Sequence, residues 1–579
     1  MEFFPYLSKS RQAMIVGGLL GAMAFLLIYG VVPLNPAKDT WLLNGFAEID
    51  TIQEYAGWML FRASPWSWPL GIGSNLNYPS GACVCFTGNV TLFAIFFKAL
   101  SPLLGETFQY VGLYNLLSFV LQGVSAGLLL SLFIDKLLYL HIGTLLFVFA
   151  PIMIERAFRH SPLGSQWLIL FSLFLYFNNR RSQHKRQWQF GILACLAAVI
   201  HPYFVPMVLA ILFADLVDQI IQTRKLLYPA IFMGIKVAAV TIVAYCTGLF
   251  TASGYRVGLG YYSMNLNAVI NPISINMDSV YEWSRFLKAR PQILGNYDGF
   301  NYLGLGVLIL LTISLLDFLY KGNIEQKIRS FSSKYAGLLL VSVCLAVFAV
   351  SNVVTLDDKI IFGIPLPQSI NNVLSIFRAS SRMFYVPYYL IFLWVTVTVY
   401  RLHLATSTKT VLLTVMVAIQ IFDISPALVQ KRDYFRRYEN QIVRLEHSWM
   451  KSEFWNEIKG KYKHIVYLDV DKFDYDMPAY AGKNHMTINI PFLNRGKNDS
   501  RIEYINQILS EIKRGVIRRD TIYMINNKIL YQELMNHFSD DCLVASVDGQ
   551  IVIAPRYEGM RTVYSDNFVP LHPDNDNRE

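Results

Sequence analysis

Long apolar stretches follow one another from about Met14 to Ile424, and they constrain the fold more than any other feature of the chain. Each is close to the roughly 20 residues that an α-helix needs to cross a hydrocarbon layer about 30 Å thick. Hydrophobic residues make up 54% of the 579 residues and charged residues only 16%. The sequence therefore predicts a mainly α-helical, polytopic membrane protein, followed by a polar tail of roughly 150 residues.

Basic residues occupy every second loop between the predicted spans, and this alternation predicts an orientation. Four of them fill the short loop at 180–186, and the loops that contain Arg224 and Lys321 repeat the pattern. Because positively charged loops face the cytoplasm, these loops are assigned there, and Lys9 assigns the amino terminus to the same side. The segments left for the outer, periplasmic side are 35–85, 251–301, 354–383 and the tail from Ser425.

The number of crossings depends on three apolar stretches, 86–103, 110–133 and 137–154. They lie between two segments that are both assigned to the outer side, and an odd number of crossings cannot join such segments. Either one stretch fails to cross or one must be read as two, and the sequence leaves this choice open. We expect 11 or 13 crossings.

The first polar segment has a helical pattern of its own. Apolar residues recur at helical spacing through Asp39–Ala63, which predicts one or two helices on the outer surface of the membrane. Trp58, Trp66 and Trp68 suit the membrane–water interface, because an indole ring has one polar edge and an apolar body.

The tail alternates strand-like and helix-like patterns, which predicts a small α/β domain. The chain is therefore expected to divide into a transmembrane domain, 1–425, with a first periplasmic loop at 35–85, and a periplasmic α/β domain, 426–579. The elements predicted in the tail are strands at His464–Val470 and Thr521–Ile525, an amphipathic helix at Arg501–Arg514, and a hairpin at Cys542–Ala554 with Asp548-Gly549 as its turn.

Glu48-Ile49-Asp50 is the most informative group of charged residues. Both carboxylates stand early in the first outer segment and can point into one cleft at a helix end or turn. A sugar transfer needs a base that takes the proton of the acceptor hydroxyl, so Asp50, with Glu48 beside it, is the catalytic candidate. The alternative is that both residues only cap or solvate an outer helix.

Four basic residues on the predicted outer side run against the usual charge distribution. Arg378 and Arg382 are four apart and share a helical face, and Arg159 and His160 lie on a short turn between two spans. Guanidinium groups near the lipid headgroups can hold a lipid-linked phosphate, so all four are candidate phosphate ligands. Contact with bulk headgroups, or a polar helix end in the case of His160, is the simpler alternative.

Three further polar residues are candidates for substrate binding. His201 stands at another outer span end, Tyr255 lies in the large outer loop, and Glu54 follows Asp50 in the first outer segment. Tyrosines and asparagines of the outer loop suit sugar hydroxyls, although they equally suit any interfacial loop. The six cysteines show no zinc spacing, and no residue is predicted to bind a metal.

Several short segments, taken in order, carry a resemblance to a known family. An acidic residue in a first outer loop, many spans and an outer terminal domain resemble the GT-C membrane glycosyltransferases, and more closely a bacterial family of large membrane proteins with that organisation. The segments are Asp50–Trp58, Trp68–Gly71, Phe108–Leu113, His201–Tyr203, Phe377–Arg382 and Ala481–Asn489.

The resemblance implies that Asp50 is the first-loop acid of the family. It also implies a polyprenyl-phosphate sugar as donor and an envelope glycan as acceptor, at the periplasmic face of the bacterial inner membrane. O-antigen modification of lipopolysaccharide, as by serotype-converting glucosyltransferases, is the specific expectation. Glu54 stands where the family pattern has a histidine, and 87–89 where it has an acidic residue. A second carboxylate role and a divalent metal therefore stay open.

Other classes of protein remain alternatives. A flippase or transporter of lipid-linked glycans would need charged residues deep inside spans, whereas Lys98, Asp215, Lys236 and Asp317 lie near span ends. An O-antigen polymerase or an acyltransferase is a further class, and an acyltransferase would need a histidine among the spans, for which His141 is a poor candidate. Nucleic-acid binding is disfavoured, because the net charge of +10 is spread over short loops.

Overall fold

The computed structural model is mainly helical, as predicted. Its α-helices in chain order are α1 (Lys9–Tyr29), α2 (Thr40–Leu43), α3 (Ile49–Ala63), α4 (Thr91–Ala99), α5 (Val111–Ser131), α6 (Leu137–Val148), α7 (Pro151–Arg156), α8 (Trp167–Phe177), α9 (Gln183–Ile200), α10 (Phe204–Thr223), α11 (Leu227–Cys246), α12 (Leu305–Tyr320), α13 (Ile324–Val350), α14 (Gln368–Leu374), α15 (Tyr385–Tyr400), α16 (Thr406–Asp423), α17 (Ser425–Arg437), α18 (Phe454–Glu457), α19 (Asp476–Lys483), α20 (Asn498–Lys513) and α21 (Lys528–Leu534). The structure describes residues 8–43, 49–178, 182–251, 258–276, 279–320, 322, 324–439, 450–469, 476–489, 498–538, 541–558 and 568–570.

In the part of the chain that the structure describes, the strands are short and form three two-stranded sheets and one larger sheet. They are β1 (Ile72–Gly73), β2 (Ala82–Cys83), β3 (Ile273–Asn276), β4 (Ser279–Glu282), β5 (Val353–Leu356), β6 (Lys359–Gly363), β7 (His464–Tyr467), β8 (Thr487–Ile488), β9 (Thr521–Ile525), β10 (Cys542–Val547), β11 (Gln550–Pro555) and β12 (Phe568–Pro570).

The chain folds into two compact units, each built from separate stretches of sequence. The first unit contains most of the long apolar helices, and the second contains the first polar segment and the tail. Unit 1 comprises 1–35, 110–243 and 256–439, and unit 2 comprises 36–109, 244–255 and 440–579.

Within the described residues, six helices are long and apolar enough to cross a membrane, or seven if the bent pair α16–α17 counts as one span. The expected 11 or 13 crossings are therefore not borne out. Three further apolar helices are shorter. The six are Lys9–Tyr29, Val111–Ser131, Phe204–Thr223, Leu227–Cys246, Ser333–Val350 and Ser380–Tyr400.

The crossing count was too high because an apolar stretch is not always one helix. In the stretch 86–103, α4 has only nine residues and a length of about 14 Å, too short to span. The stretch 137–154 is divided between α6 and α7, and Pro151 opens the second helix. Of the three stretches in question, only 110–133 contains a helix of spanning length.

Close packing of glycines joins two of the long helices in unit 1. Gly17 and Gly21 of α1 face Gly123 of α5, and a Cβ atom on any of them would overlap a backbone carbonyl group of the other helix. Gly127 meets α1 one turn further along. Small residues four apart on both helices let the two backbones approach, a common basis of helix association in membranes.

The α/β character of the tail is confirmed. Its six strands are ordered β12-β10-β11-β9-β7-β8, with β7 parallel to β8 and β9 and the other pairs antiparallel. Asp548 and Gly549 both have positive φ angles and form the two-residue turn of the predicted hairpin. The helix α20 covers the sheet with Tyr504, Ile508 and Ile512.

The first polar segment packs closely on a helix of the tail within unit 2. A Cβ atom on Gly482 of α19 would come within 2.7 Å of the Cβ atom of Met59 in α3. Beside this contact, Lys483 forms an ion pair of 2.7 Å with buried Asp39. The hydroxyl of Tyr55 donates to the same carboxylate at 2.8 Å. The two segments therefore share one core.

Trp58 departs from the predicted interfacial position. Its ring is buried, and its Nε1 atom donates to the carbonyl oxygen of Phe108 at 2.8 Å. Trp66 and Trp68 are exposed, as an interfacial role requires. Periodicity alone placed Trp58 on the helix, but its hydrogen-bond partner comes from a distant segment.

Candidate functional site

Asp298 is the centre of a buried ion cluster in unit 1. It lies in the short 3-10 helix Leu294–Gly299, whereas Arg156 ends α7 and Arg382 lies in the 3-10 turn that leads into α15. Asp298 and Arg156 are almost fully buried, and the side chain of Arg382 is 14% exposed. Three helix ends thus bring two cations to one carboxylate.

Asp298 serves as the counterion of both arginines, Arg156 and Arg382. Arg382 donates from Nε to Oδ2 and from Nη2 to Oδ1 of Asp298, both at 2.9 Å. Arg156 donates from Nη1 to Oδ1 at 2.9 Å and from Nη2 to the backbone oxygen of Asp298 at 2.6 Å. Its Nε atom donates to the hydroxyl of Tyr385 at 2.9 Å. We call Arg156, Asp298 and Arg382 the triad.

The carboxylate of the triad is ionised. Burial alone would raise the pKa of Asp298, but the guanidinium groups of Arg156 and Arg382 lower it well below its usual range. Ser381 adds a hydrogen bond from its Oγ atom to the backbone oxygen of Asp298 at 3.1 Å. The side chains are therefore fixed in position before any ligand arrives.

Arg382 keeps part of its hydrogen-bonding capacity. Its Nε and Nη2 atoms serve Asp298, while Nη1 donates to none of the described residues. The face of the guanidinium lies over the ring of Tyr203, with 4.7 Å between Cζ and the ring centroid. A fixed guanidinium with a remaining N–H edge at a partly exposed position can bind a ligand oxygen.

His160 and His201 form a pair next to the triad. The backbone N–H of Tyr203 donates to Nδ1 of His201 at 3.3 Å, so this atom carries no proton. A neutral His201 then holds its proton on Nε2 and donates it to Nε2 of His160, 3.2 Å away. This assignment of protons leaves His160 with a proton on Nδ1.

Both histidines are neutral at neutral pH. Burial and the guanidinium of Arg382 lower the pKa of His160 well below its ordinary value. Burial and the neighbouring His160 lower the pKa of His201 in the same way. The side chain of His160 is partly exposed, whereas that of His201 is buried. The pair is therefore uncharged and adds no third cation to the triad.

A second ion cluster begins one residue before Arg156. Nη1 of Arg159 donates to Oε1 of Glu155 and, at 3.0 Å, to Oγ of Ser274. Nζ of Lys431 lies 3.7 Å from Oε2 of Glu155. Burial would raise the pKa of Glu155, but Arg159 and then Lys431 lower it below its ordinary value. Arg159 is thus engaged in a structural ion pair.

The structure brings together some of the residues predicted from sequence. Arg382 and His160, predicted to bind phosphate, and His201, predicted to bind substrate, lie in or beside the triad. Arg378 is partly exposed, with its Cζ atom 5.5 Å from the ring centroid of Tyr262. The adjacent Ala379 donates its N–H to the hydroxyl of Tyr203 at 2.9 Å, which connects this segment to the triad.

The predicted acidic residues belong to unit 2. Asp50 is half-buried in the first turn of α3. Glu54 is buried one turn later, and the side-chain amide of Asn89 donates to its backbone oxygen at 2.7 Å. Glu48 and Tyr255 lie outside the described residues, so their roles remain predictions.

Sequence reasoning missed the organising role of Asp298. Arg156 is a further basic residue on the predicted outer side, and no sequence pattern assigned it a partner. The available signal was the requirement for a counterion, because two buried arginines need a carboxylate nearby. The described residues contain no group of three or more His, Cys, Asp or Glu side chains that could hold a metal ion.

The fold and the site define a class: a mainly helical protein with an α/β tail and a buried ionic site, in which the described residues include six or seven spans long and apolar enough to cross a membrane. Residues 18–425 match a family model described as a domain of unknown function, DUF6311, and residues 454–555 match its C-terminal domain. The chain belongs to this family, because the first match covers more than half of it. No curated protein is significantly similar to the chain.

Proposed function

We propose that the protein is a glycosyltransferase that moves a sugar from a polyprenyl-phosphate donor to a glycan of the cell envelope. The observation that supports this most is the triad, which fixes Arg382 with an N–H edge available at a partly exposed position. A guanidinium of this kind binds phosphate oxygens through charge-assisted hydrogen bonds. The periplasmic face of the inner membrane is the proposed location, and O-antigen is the proposed acceptor.

The reaction moves negative charge onto the phosphate. The acceptor oxygen bonds to the anomeric carbon, and the bond between that carbon and the phosphate oxygen breaks. The leaving polyprenyl phosphate takes the bonding electrons and gains one negative charge, while the acceptor proton passes to a base. Groups that bind this phosphate more strongly as it leaves lower the barrier.

The triad suits this task because it carries two guanidinium groups against one carboxylate. The excess positive charge attracts an anion, and Asp298 keeps the two cations in place without ligand. Little reorganisation is then needed when charge develops on the phosphate. His160 is a further proposed contact of the same phosphate, because it lies beside Arg382.

Asp50 is the proposed base. Its carboxylate lies in the first turn of α3, and a carboxylate can take the proton of an acceptor hydroxyl. Arg378 is a proposed additional phosphate ligand. Arg159 is assigned a supporting role, because its side chain is engaged with Glu155.

The purified full-length protein in phospholipid vesicles can be tested with a polyprenyl-phosphate hexose labelled in the sugar. The proposal expects labelled glycan and free polyprenyl phosphate when an envelope-glycan acceptor is present. The test variant Arg382→Gln, compared with the natural protein at equal amounts of folded and inserted protein, should lose turnover. Movement of intact donor across the vesicle membrane without cleavage would instead indicate transport and contradict the proposal.

A further inference from the structure

An unusually apolar surface lies in unit 1 between α13 and α15. We call residues 353–376, which contain β5, β6 and α14, the apolar hairpin segment. Such a density of exposed apolar side chains is rare outside a binding surface. The eight large apolar residues exposed here are Leu356, Ile360, Ile361, Phe362, Ile364, Ile370, Val373 and Ile376.

The strand β5 packs on the rest of unit 1, whereas the strand β6 is exposed. Val354 and Thr355 of β5 are buried. At the turn, Asp357 accepts a hydrogen bond from Nδ2 of Asn267 at 2.5 Å and lies 3.5 Å from Nη1 of Arg290. All five residues of β6 are exposed. The hairpin is therefore held firmly while its outer strand stays uncovered.

Both faces of β6 are apolar. The pairing register shifts within the hairpin, because Ile360 pairs with Thr355 whereas Phe362 pairs with Val354, and Ile361 is the extra residue between them. Neighbouring residues of β5 point to opposite faces and paired residues share a face, so Ile360 and Phe362 lie on opposite faces of the hairpin. Each of the three is more than half exposed. A groove for one lipid chain, or a flat protein partner, would cover a single face. Side chains that are apolar in every direction instead suit a surrounding hydrocarbon phase.

The position of the segment in the chain points to the same surroundings. The apolar part of α13 ends at Val350, and the next helix of spanning length begins at Ser380. The segment therefore connects the end of one spanning helix to the beginning of the next, which places it close to a membrane surface. From these observations we propose that the apolar hairpin segment inserts into the interfacial layer of the bilayer and anchors this part of unit 1.

The insertion is shallow. The free edge of β6 presents backbone N–H and C=O groups, which need water or headgroup partners and cannot enter the hydrocarbon centre. Apolar side chains at this depth gain from leaving water while the backbone stays hydrated. Arg378 follows the segment directly and is thereby held at the level of the lipid phosphates.

Site-specific photo-crosslinking in the otherwise natural protein tests the insertion. A genetically encoded diazirine side chain is placed at Ile361, or at Ile529 as the matched control, which is an exposed isoleucine of α21. The protein is reconstituted in phosphatidylethanolamine–phosphatidylglycerol vesicles without polyprenyl lipid and is then illuminated. The mass of the protein is measured by mass spectrometry. We expect a mass increase of one phospholipid at position 361 and none at position 529.

Two results would overturn the inference: no phospholipid adduct at position 361, or a crosslink from that position to a protein chain. The second would identify the surface as a contact between proteins. Because the readout requires no sugar transfer, it is independent of the proposed enzymatic activity. A second position, Phe362, guards against a local effect of the substitution and should give the same phospholipid adduct.

Discussion

Arg382 and Asp298 are joined by two parallel hydrogen bonds of 2.9 Å, and Asp298 serves Arg156 as well. One carboxylate thus holds two guanidinium groups that would otherwise repel each other in a poorly hydrated place. Asp298 accepts hydrogen bonds from Nε and Nη2 of Arg382 and from Nη1 of Arg156, which leaves an N–H edge of Arg382 for a ligand. Stability and proposed phosphate binding therefore depend on the same three side chains.

Asp298→Asn should destabilise the protein strongly. Removal of one member of a buried ion pair typically costs roughly 3–5 kcal/mol, because the remaining charge is left without compensation. Unfolding in a denaturing detergent titration measures the effect. The control is Asp135→Asn, at a highly exposed carboxylate paired with Lys9, which should change stability little. Equal stability of the two variants would contradict the role assigned to Asp298.

Arg382→Lys should lower kcat for sugar transfer by about 10²-fold, a typical loss for one charge-stabilising group. Lysine keeps the positive charge but cannot form the two parallel bonds to Asp298 while presenting a further N–H to phosphate. Steady-state kinetics on protein of matched folding, with Arg401→Lys at the exposed far end of α15 as control, provides the test. A purely structural role would lower the melting temperature and leave the kcat of folded protein unchanged.

Asp50→Asn should abolish sugar transfer while the protein still inserts into the membrane and binds donor. The amide is nearly isosteric with the carboxylate but cannot take a proton from the acceptor hydroxyl. Turnover and donor binding are measured side by side, with Asp358→Asn at an exposed position as control. Wild-type turnover by the Asp50 variant would reject the proposed base.

The histidine pair should make stability fall on acidification. The pKa values of His160 and His201 are lowered in the folded protein, whereas the pKa of a histidine in the unfolded chain is about 6.5. Below that pH the unfolded state binds protons that the folded state excludes, so stability decreases; above it the effect disappears.

Melting temperatures between pH 8 and pH 5 test this prediction. The natural protein should lose more stability over this interval than the double variant His160→Gln/His201→Gln. His403→Gln, at an exposed position, should behave like the natural protein. Identical acid sensitivity of the natural protein and the double variant would show that the folded pair binds protons as readily as the unfolded chain, contrary to the prediction.

Gly482→Ala should weaken the packing of α19 on α3 in unit 2. The added methyl group would lie 2.7 Å from the Cβ atom of Met59, and overpacking of this kind costs about 1–3 kcal/mol. The matched control is Gly234→Ala in α11, where a Cβ atom would meet nothing within 4 Å. A melting temperature unchanged by Gly482→Ala would show that the two helices adjust without strain.

Local patterns predicted several elements correctly. The strand Thr521–Ile525 and the turn at Asp548-Gly549 were visible as β-branched runs and turn residues, and the structure has both. Arg382 and His160 stood out because basic residue types on a predicted outer face are unusual. Such signals are local, since they depend on neighbours in the chain.

The sequence by itself thus determined a helical, apolar protein with an α/β tail and a few conspicuous cations. Only the tertiary structure decided where apolar stretches break into short helices, that residues 36–109 share a unit with the tail, and that Asp298 joins two distant arginines. The physical reason is that burial and ion pairing depend on side chains brought together by packing, and a linear pattern carries little information about which partners meet.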